Sequence, residues 1–115
     1  MRIACLGGGP AGLYFAISMK LRDPNHHVTV IERNKANDTF GWGVVLSDEA
    51  LDNLHKNDPV SAKAIRDHFA YWDDIIIARD GEEVSIAGNG FCGCSRKTLL
   101  QLLQQRVQRT HPPPL

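Results

Sequence analysis

What this chain has little of narrows it first. Lysine plus arginine and aspartate plus glutamate each number 13 in 115 residues, so the formal charge is zero. That excludes the basic field that draws in nucleic acid or an anionic membrane surface. No apolar run approaches the roughly 20 residues of a membrane-spanning helix. The N-terminus passes from a short apolar segment straight into glycines, without the charged, apolar and cleavable parts of a secretory signal. Cysteine is scarce and odd in number, at Cys5, Cys92 and Cys94, which excludes a disulfide framework. Cys92 and Cys94 flank Gly93 with no second cysteine or histidine pair at zinc spacing, so they read as small loop residues and no metal site is expected. These shortages imply a cytoplasmic chain without nucleic-acid or membrane partners, long enough for one small core.

What is present is concentrated at the N-terminus. Ile3, Ala4, Cys5 and Leu6 form a continuous apolar run of the kind that makes a parallel strand buried on both faces. Gly7-Gly8-Gly9-Pro10-Ala11-Gly12 follows at once, and Glu32 comes twenty positions after Gly12. Each glycine has a physical role in a dinucleotide fingerprint. Gly7 permits a tight turn, Gly9 lets a pyrophosphate approach the backbone, and Gly12 lets the next helix lie close to the strand. Pro10 and Ala11 open that helix, where a missing N–H costs nothing and free amides and the macrodipole favour an anion.

Leu13, Ala16, Ile17 and Leu21 repeat at helical spacing, and Asp23-Pro24-Asn25 stops the helix. Val28 to Ile31 is a β-branched second strand, predicted to run parallel to the first. A carboxylate at its end, Glu32, can accept hydrogen bonds from both ribose hydroxyls of an adenosine and repels a 2′-phosphate. The residues alone point to an adenine dinucleotide, FAD or NAD, and against NADP at this site. The fold class is α/β, a Rossmann-like βαβ FAD/NAD(P)-binding fold.

Further on, Asn34 to Asp38 reads as a loop, and Ser47-Asp48-Glu49 as a helix start ahead of Ala50, Leu51 and Leu54. A second helix is expected from about Val60 to Phe69. The glycines around Trp42 admit two readings. The backbone approaches a flat ligand that Trp42 covers, or an apolar loop tucks under the helices. Ile75 to Ala78 and Val84 to Ile86 flank Asp80-Gly81 and predict an added β-hairpin, making the sheet mixed. After a glycine-rich loop from Gly88 to Cys94, Ser95 caps a helix carrying Leu99, Leu100, Leu102, Leu103 and Val107. Arg96 and Lys97 stand in its first turn, where cations are disfavoured. They read either as awaiting an anion or as solvated charges. His111-Pro112-Pro113-Pro114 cannot continue a helix, so 1–109 is one unit and 110–115 a frayed tail. With no further strand after the last helix, the dinucleotide fold is expected to be incomplete.

The segments CLGGGPAGLYFA, VTVIERN, DTFGWGVVLSDEALDNL and GFCGCSRKTLLQLL resemble the N-terminal FAD-binding region of the single-component flavoprotein aromatic hydroxylases, the para-hydroxybenzoate hydroxylase fold. Within that family they are most similar to the salicylyl-CoA hydroxylase and 2-aminobenzoyl-CoA monooxygenase/reductase branch. The resemblance implies that the FAD pyrophosphate lies over Gly7, Gly9, Pro10, Ala11 and Gly12, with the adenosine ribose on Glu32 and Arg33 beside it. It also implies that Trp42, Gly43 and Val44 pass near the flavin and that Arg96 reaches the phosphate or ribityl region. The implied chemistry is hydroxylation of an aromatic ring, possibly CoA-linked, with FAD as cofactor and NAD(P)H and oxygen as co-substrates. No residue is assigned as catalytic acid or base, and Asp48 and Glu49 read as helix-start residues. The resemblance also implies later Asp-Gly and Gly-Asp motifs, far beyond the Asp80-Gly81 turn, that hold the ribityl chain; without them the chain is expected to be a fragment, inactive by itself. The alternatives are an NAD-binding oxidoreductase fragment and a non-catalytic remnant.

Overall fold

The computed structural model describes residues 1–88 and 90–111, in which eleven elements follow one another. The first three are strand β1 (Arg2–Leu6), helix α1 (Pro10–Arg22) and strand β2 (His27–Ile31). β1 and β2 are parallel and in register from Arg2 opposite His27 to Leu6 opposite Ile31. The predicted βαβ opening is therefore present. The strands are covered on one face only. Ile3, Cys5, Val28 and Val30 turn inward, while Leu6 is 82% exposed and Ile31 53%. The expectation of a strand buried on both faces fails because the described helices pack on one side of this pair. Leu21, in helical spacing with the buried Leu13, Ala16 and Ile17, is also exposed.

Strand β3 (Gly43–Ser47) leads directly into helix α2 (Asp48–Asn57) and helix α3 (Pro59–His68). Ser47 caps α2 by accepting from the amide of Ala50, and Asp58 caps α3 by accepting from that of Ser61. Strand β4 (Ala70–Trp72), strands β5 (Ile75–Arg79) and β6 (Glu82–Ile86), strand β7 (Phe91–Ser95) and helix α4 (Arg96–Thr110) complete the chain. The β5–β6 turn has Asp80 at φ +51° and Gly81 at φ +80°, the mirror-image turn that matches strand twist. The hairpin does not join a mixed sheet. It forms a two-stranded sheet of its own, beside a separate antiparallel sheet in the order β3-β7-β4.

The segment read as a glycine-rich loop is corrected most. Phe91 to Ser95 is the central strand of that second sheet, and Cys92 is fully buried. Its small residues are there for packing. A β-carbon on Gly93 would come within 3.1 Å of the Trp72 ring and 3.2 Å of the Val44 carbonyl. Trp72 in turn stacks on Phe91, with ring centroids 6.3 Å apart. Likewise Phe40 to Leu46 is no tucked loop, since its second half is β3.

The core lies between the helices and the second sheet, where Leu13 and Ile17 of α1 meet Leu51, Ile65, Phe69, Cys92, Leu99, Leu100 and Leu103. Asp58, at the α2–α3 junction, is 2% exposed and takes a two-point ion pair from Arg106 of α4, Nε to Oδ2 at 2.8 Å and Nη2 to Oδ1 at 2.9 Å. Ser61 hydroxyl also donates to this carboxylate. Burial opposes the charge, but Arg106 and Ser61 outweigh it and hold the carboxyl below its usual range. Thr110 belongs to α4 and His111 caps it, so the first two residues of the expected tail continue the helix end, and 112–115 lie outside the described residues.

Candidate functional site

The glycine turn is built by steric contact. Gly7 continues the strand ladder by donating to Ile31 at 2.8 Å, then turns at φ +114°, a region that L side chains rarely adopt. Gly12 stands so close behind it that a β-carbon would fall 2.0 Å from the Gly7 carbonyl oxygen and 3.3 Å from Cys5 Sγ. Gly9 has the opposite surroundings. It is the N-cap of α1 at φ −75°, it has no side-chain cap, and a β-carbon on it would meet nothing within 4 Å. The first intrahelical bond is Leu13 N–H to Gly9 O at 3.0 Å, so the amides of Ala11 and Gly12 precede the ladder. Open space, small residues and early helix amides with no acidic side chain in the first turn are what a diphosphate requires.

In front of this turn lies a cleft of about 500 Å³. Gly8, Gly9, Pro10, Leu13 and Val30 form its floor, Glu32, Asn34 to Ala36 and Asp38 to Phe40 one wall, and α4 the other. Glu32 sits one residue past β2 with its carboxylate drawn onto the turn. Oε2 accepts from Gly8 N–H at 2.8 Å, and Oε1 accepts from Asn34 N–H at 3.0 Å and its side-chain amide at 3.2 Å. Donation by Asn34 and then Gly8 outweighs desolvation and holds its carboxyl below the usual value. The carboxylate is thus anchored as an anion on the glycine turn.

The structure brings Gly9, Pro10, Glu32 and Arg96 to one cleft; Gly7 and Gly12 pack against each other behind the turn, and Ala11 lines a separate hollow with Tyr14, Phe15 and Ser18. It does not bring Arg33, Trp42, Gly43 or Val44 there. Arg33 and Trp42 are exposed, the latter to 94%. Gly43 and Val44 pair with Ser95 and Cys94 inside the second sheet. Trp42 contributes through its backbone, whose carbonyl accepts from Arg96 N–H at 3.1 Å. Sequence reading named Arg96 but missed Gln104 and Gln108 farther along α4. With Leu100 these residues line the cleft at a spacing of four, one stripe of a helix. The spacing was visible, but only the fold shows which face it occupies.

No family model matches the chain. Salicyloyl-CoA 5-hydroxylase of a Streptomyces species is 46% identical over 108 residues, which is 94% of this chain and 21% of that protein. A 3-hydroxy-4-methyl-anthranilyl-[aryl-carrier protein] 5-monooxygenase of Streptosporangium sibiricum is 33% identical over 106 residues, 92% of this chain and 30% of that one. The chain is homologous to part of the flavoprotein aromatic hydroxylases. The fold agrees. The structure of 2-methyl-3-hydroxypyridine-5-carboxylic acid oxygenase matches 96% of it with a TM-score of 0.82 at 20% identity, using 29% of that chain. A Photorhabdus luminescens monooxygenase assigned as FAD-containing matches 96% with a TM-score of 0.67 at 20% identity, again using 29% of its chain. The segment therefore spans a fifth to a third of the length of the proteins it matches. None of its described helices is long and apolar enough to cross a membrane.

Proposed function

We propose that this segment holds the adenosine diphosphate half of FAD in a monooxygenase that hydroxylates an aromatic ring carried as a thioester, with NAD(P)H as reductant and oxygen as the source of the inserted atom. The observation that carries the reading is the open space at Gly9, where uncapped α1 faces a cleft that also holds the anchored carboxylate of Glu32 and the cation of Arg96. Early amides of α1 bind the diphosphate, Glu32 accepts from the ribose hydroxyls, and Arg96 offsets phosphate charge from the facing wall. Arg96 at a helix start is electrostatically misplaced in the absence of an anion, and a phosphate corrects that. FAD itself supplies the redox chemistry and the activation of oxygen. The thioester reading is supported by the names of the two relatives, one acting on a coenzyme A thioester and the other on a ring borne by a carrier protein.

Titration of FAD, NAD and ADP against the purified chain tests this, followed by flavin fluorescence and calorimetry. FAD and ADP are expected to bind, more weakly than FAD to a full-length relative, since each absent hydrogen bond contributes about 1 kcal/mol. Binding of NAD with a flat FAD response selects the NAD-binding alternative. No response to any of the three selects a remnant that keeps the fold without the cofactor.

A further inference from the structure

The connection between β2 and β3 forms one wall of the cleft and is tied to α4 at two points. The Arg96 amide donates to the Trp42 carbonyl, a backbone bond at the end of the β3–β7 ladder. Eight residues along, Gln104 Nε2 donates to the Ala36 carbonyl at 2.8 Å. Only this second tie depends on a side chain.

Between the ties, the turn at 34–38 is held together by itself. Asp38 N–H donates to the Lys35 carbonyl at 2.9 Å, and the Asp38 carboxylate accepts from Lys35 N–H at 3.3 Å. Asn34 is joined to Glu32 by two bonds. Such bonds set the shape of the turn and not its distance from the facing helix. That distance depends on Gln104, which stands in the cleft-lining stripe of α4 between Leu100 and Gln108.

We propose that Gln104 is a positioning residue for the adenosine end of the dinucleotide: by holding Ala36 it fixes the separation between the 34–38 wall and α4, and so keeps Glu32 and Asn34 in place for the ligand. The inference rests on the dinucleotide reading above. A neutral amide suits the task, because it donates to a carbonyl at every working pH and adds no charge beside the phosphates.

Gln104→Met preserves length and removes the donor without changing charge. Gln104→Glu preserves shape and sets an acceptor against an acceptor. In both, amide hydrogen exchange at 35–38 of the ligand-free chain is expected to accelerate, while the denaturant midpoint stays close to that of the wild type. ADP and FAD affinities are expected to fall together, by roughly fivefold in Gln104→Met. Unchanged exchange at 35–38, or unchanged ADP affinity in Gln104→Met beside a wild type that binds, overturns the role of Gln104 alone. A wild type that binds neither ADP nor FAD overturns the dinucleotide reading and this one with it.

Discussion

Gly12 and Gly7 are packed so tightly that a β-carbon on the first would lie 2.0 Å from the carbonyl oxygen of the second. That overlap is with backbone, which cannot swing aside, so helix and strand would have to part. Gly12→Ala is expected to cost about 3 kcal/mol, read as a lowered urea midpoint. Gly9→Ala provides the contrast, because the space ahead of Gly9 is empty and its φ suits any residue. Its stability should fall by no more than the roughly 1 kcal/mol of a poorer helix cap while FAD affinity falls. A large loss of stability in Gly9→Ala, or full FAD affinity, contradicts the assignment of that space to the diphosphate.

Glu32 is held ionised by the amides of Asn34 and Gly8. Glu32→Gln keeps the shape but loses the charge that excludes a 2′-phosphate. ADP should bind more weakly to this variant, and 2′-phosphorylated ADP more tightly than to the wild type, in paired calorimetric titrations. If the ratio of the two affinities does not move, the carboxylate does not face the ribose.

The Asp58–Arg106 pair joins the α2–α3 junction to α4 where Asp58 is buried. Arg106→Met leaves a buried carboxylate without its partner and is expected to cost about 3 kcal/mol. Asp58 gives up its proton more readily folded than unfolded, so its contribution is complete above the ordinary value of 3.8 and is lost as pH falls through its lower folded value. Denaturant midpoints measured from pH 6 downward should therefore drop more steeply for the wild type than for Asp58→Asn. Parallel curves would show that the pair carries no pH-linked stability.

The β5–β6 hairpin has Ile75, Ile77, Val84 and Ile86 on one face by strand alternation and register, and all four are exposed. An apolar face beside open strand edges favours association. Sedimentation should show the chain self-associating with rising concentration, and Ile77→Lys with Val84→Lys should return it to monomer while FAD affinity stays unchanged. A wild type that remains monomeric at high concentration rules this out.

Legibility differed from element to element for physical reasons. The β1-α1-β2 unit, the caps at Ser47 and Ser95 and the Asp80-Gly81 turn are set by neighbours a few residues apart, so their residues announce them. Strand β7 did not, since Gly93 and two cysteines have little strand preference of their own and are drawn into the sheet by Trp72, Val44 and β4.

By itself the sequence determined the chemistry at the turn: which residues lack side chains, where a helix begins, and where an acid falls relative to both. Only the tertiary structure decided which side chains share the cleft. It folded α4 across from the glycines, bringing Arg96 and Gln104 in, and paired Gly43 and Val44 into a sheet with Trp42 left in solvent. The reason is range: steric and capping rules act over one turn of chain, whereas the cleft is closed by contacts between residues such as Ala36 and Gln104, 68 positions apart, whose meeting depends on the packing of everything between them.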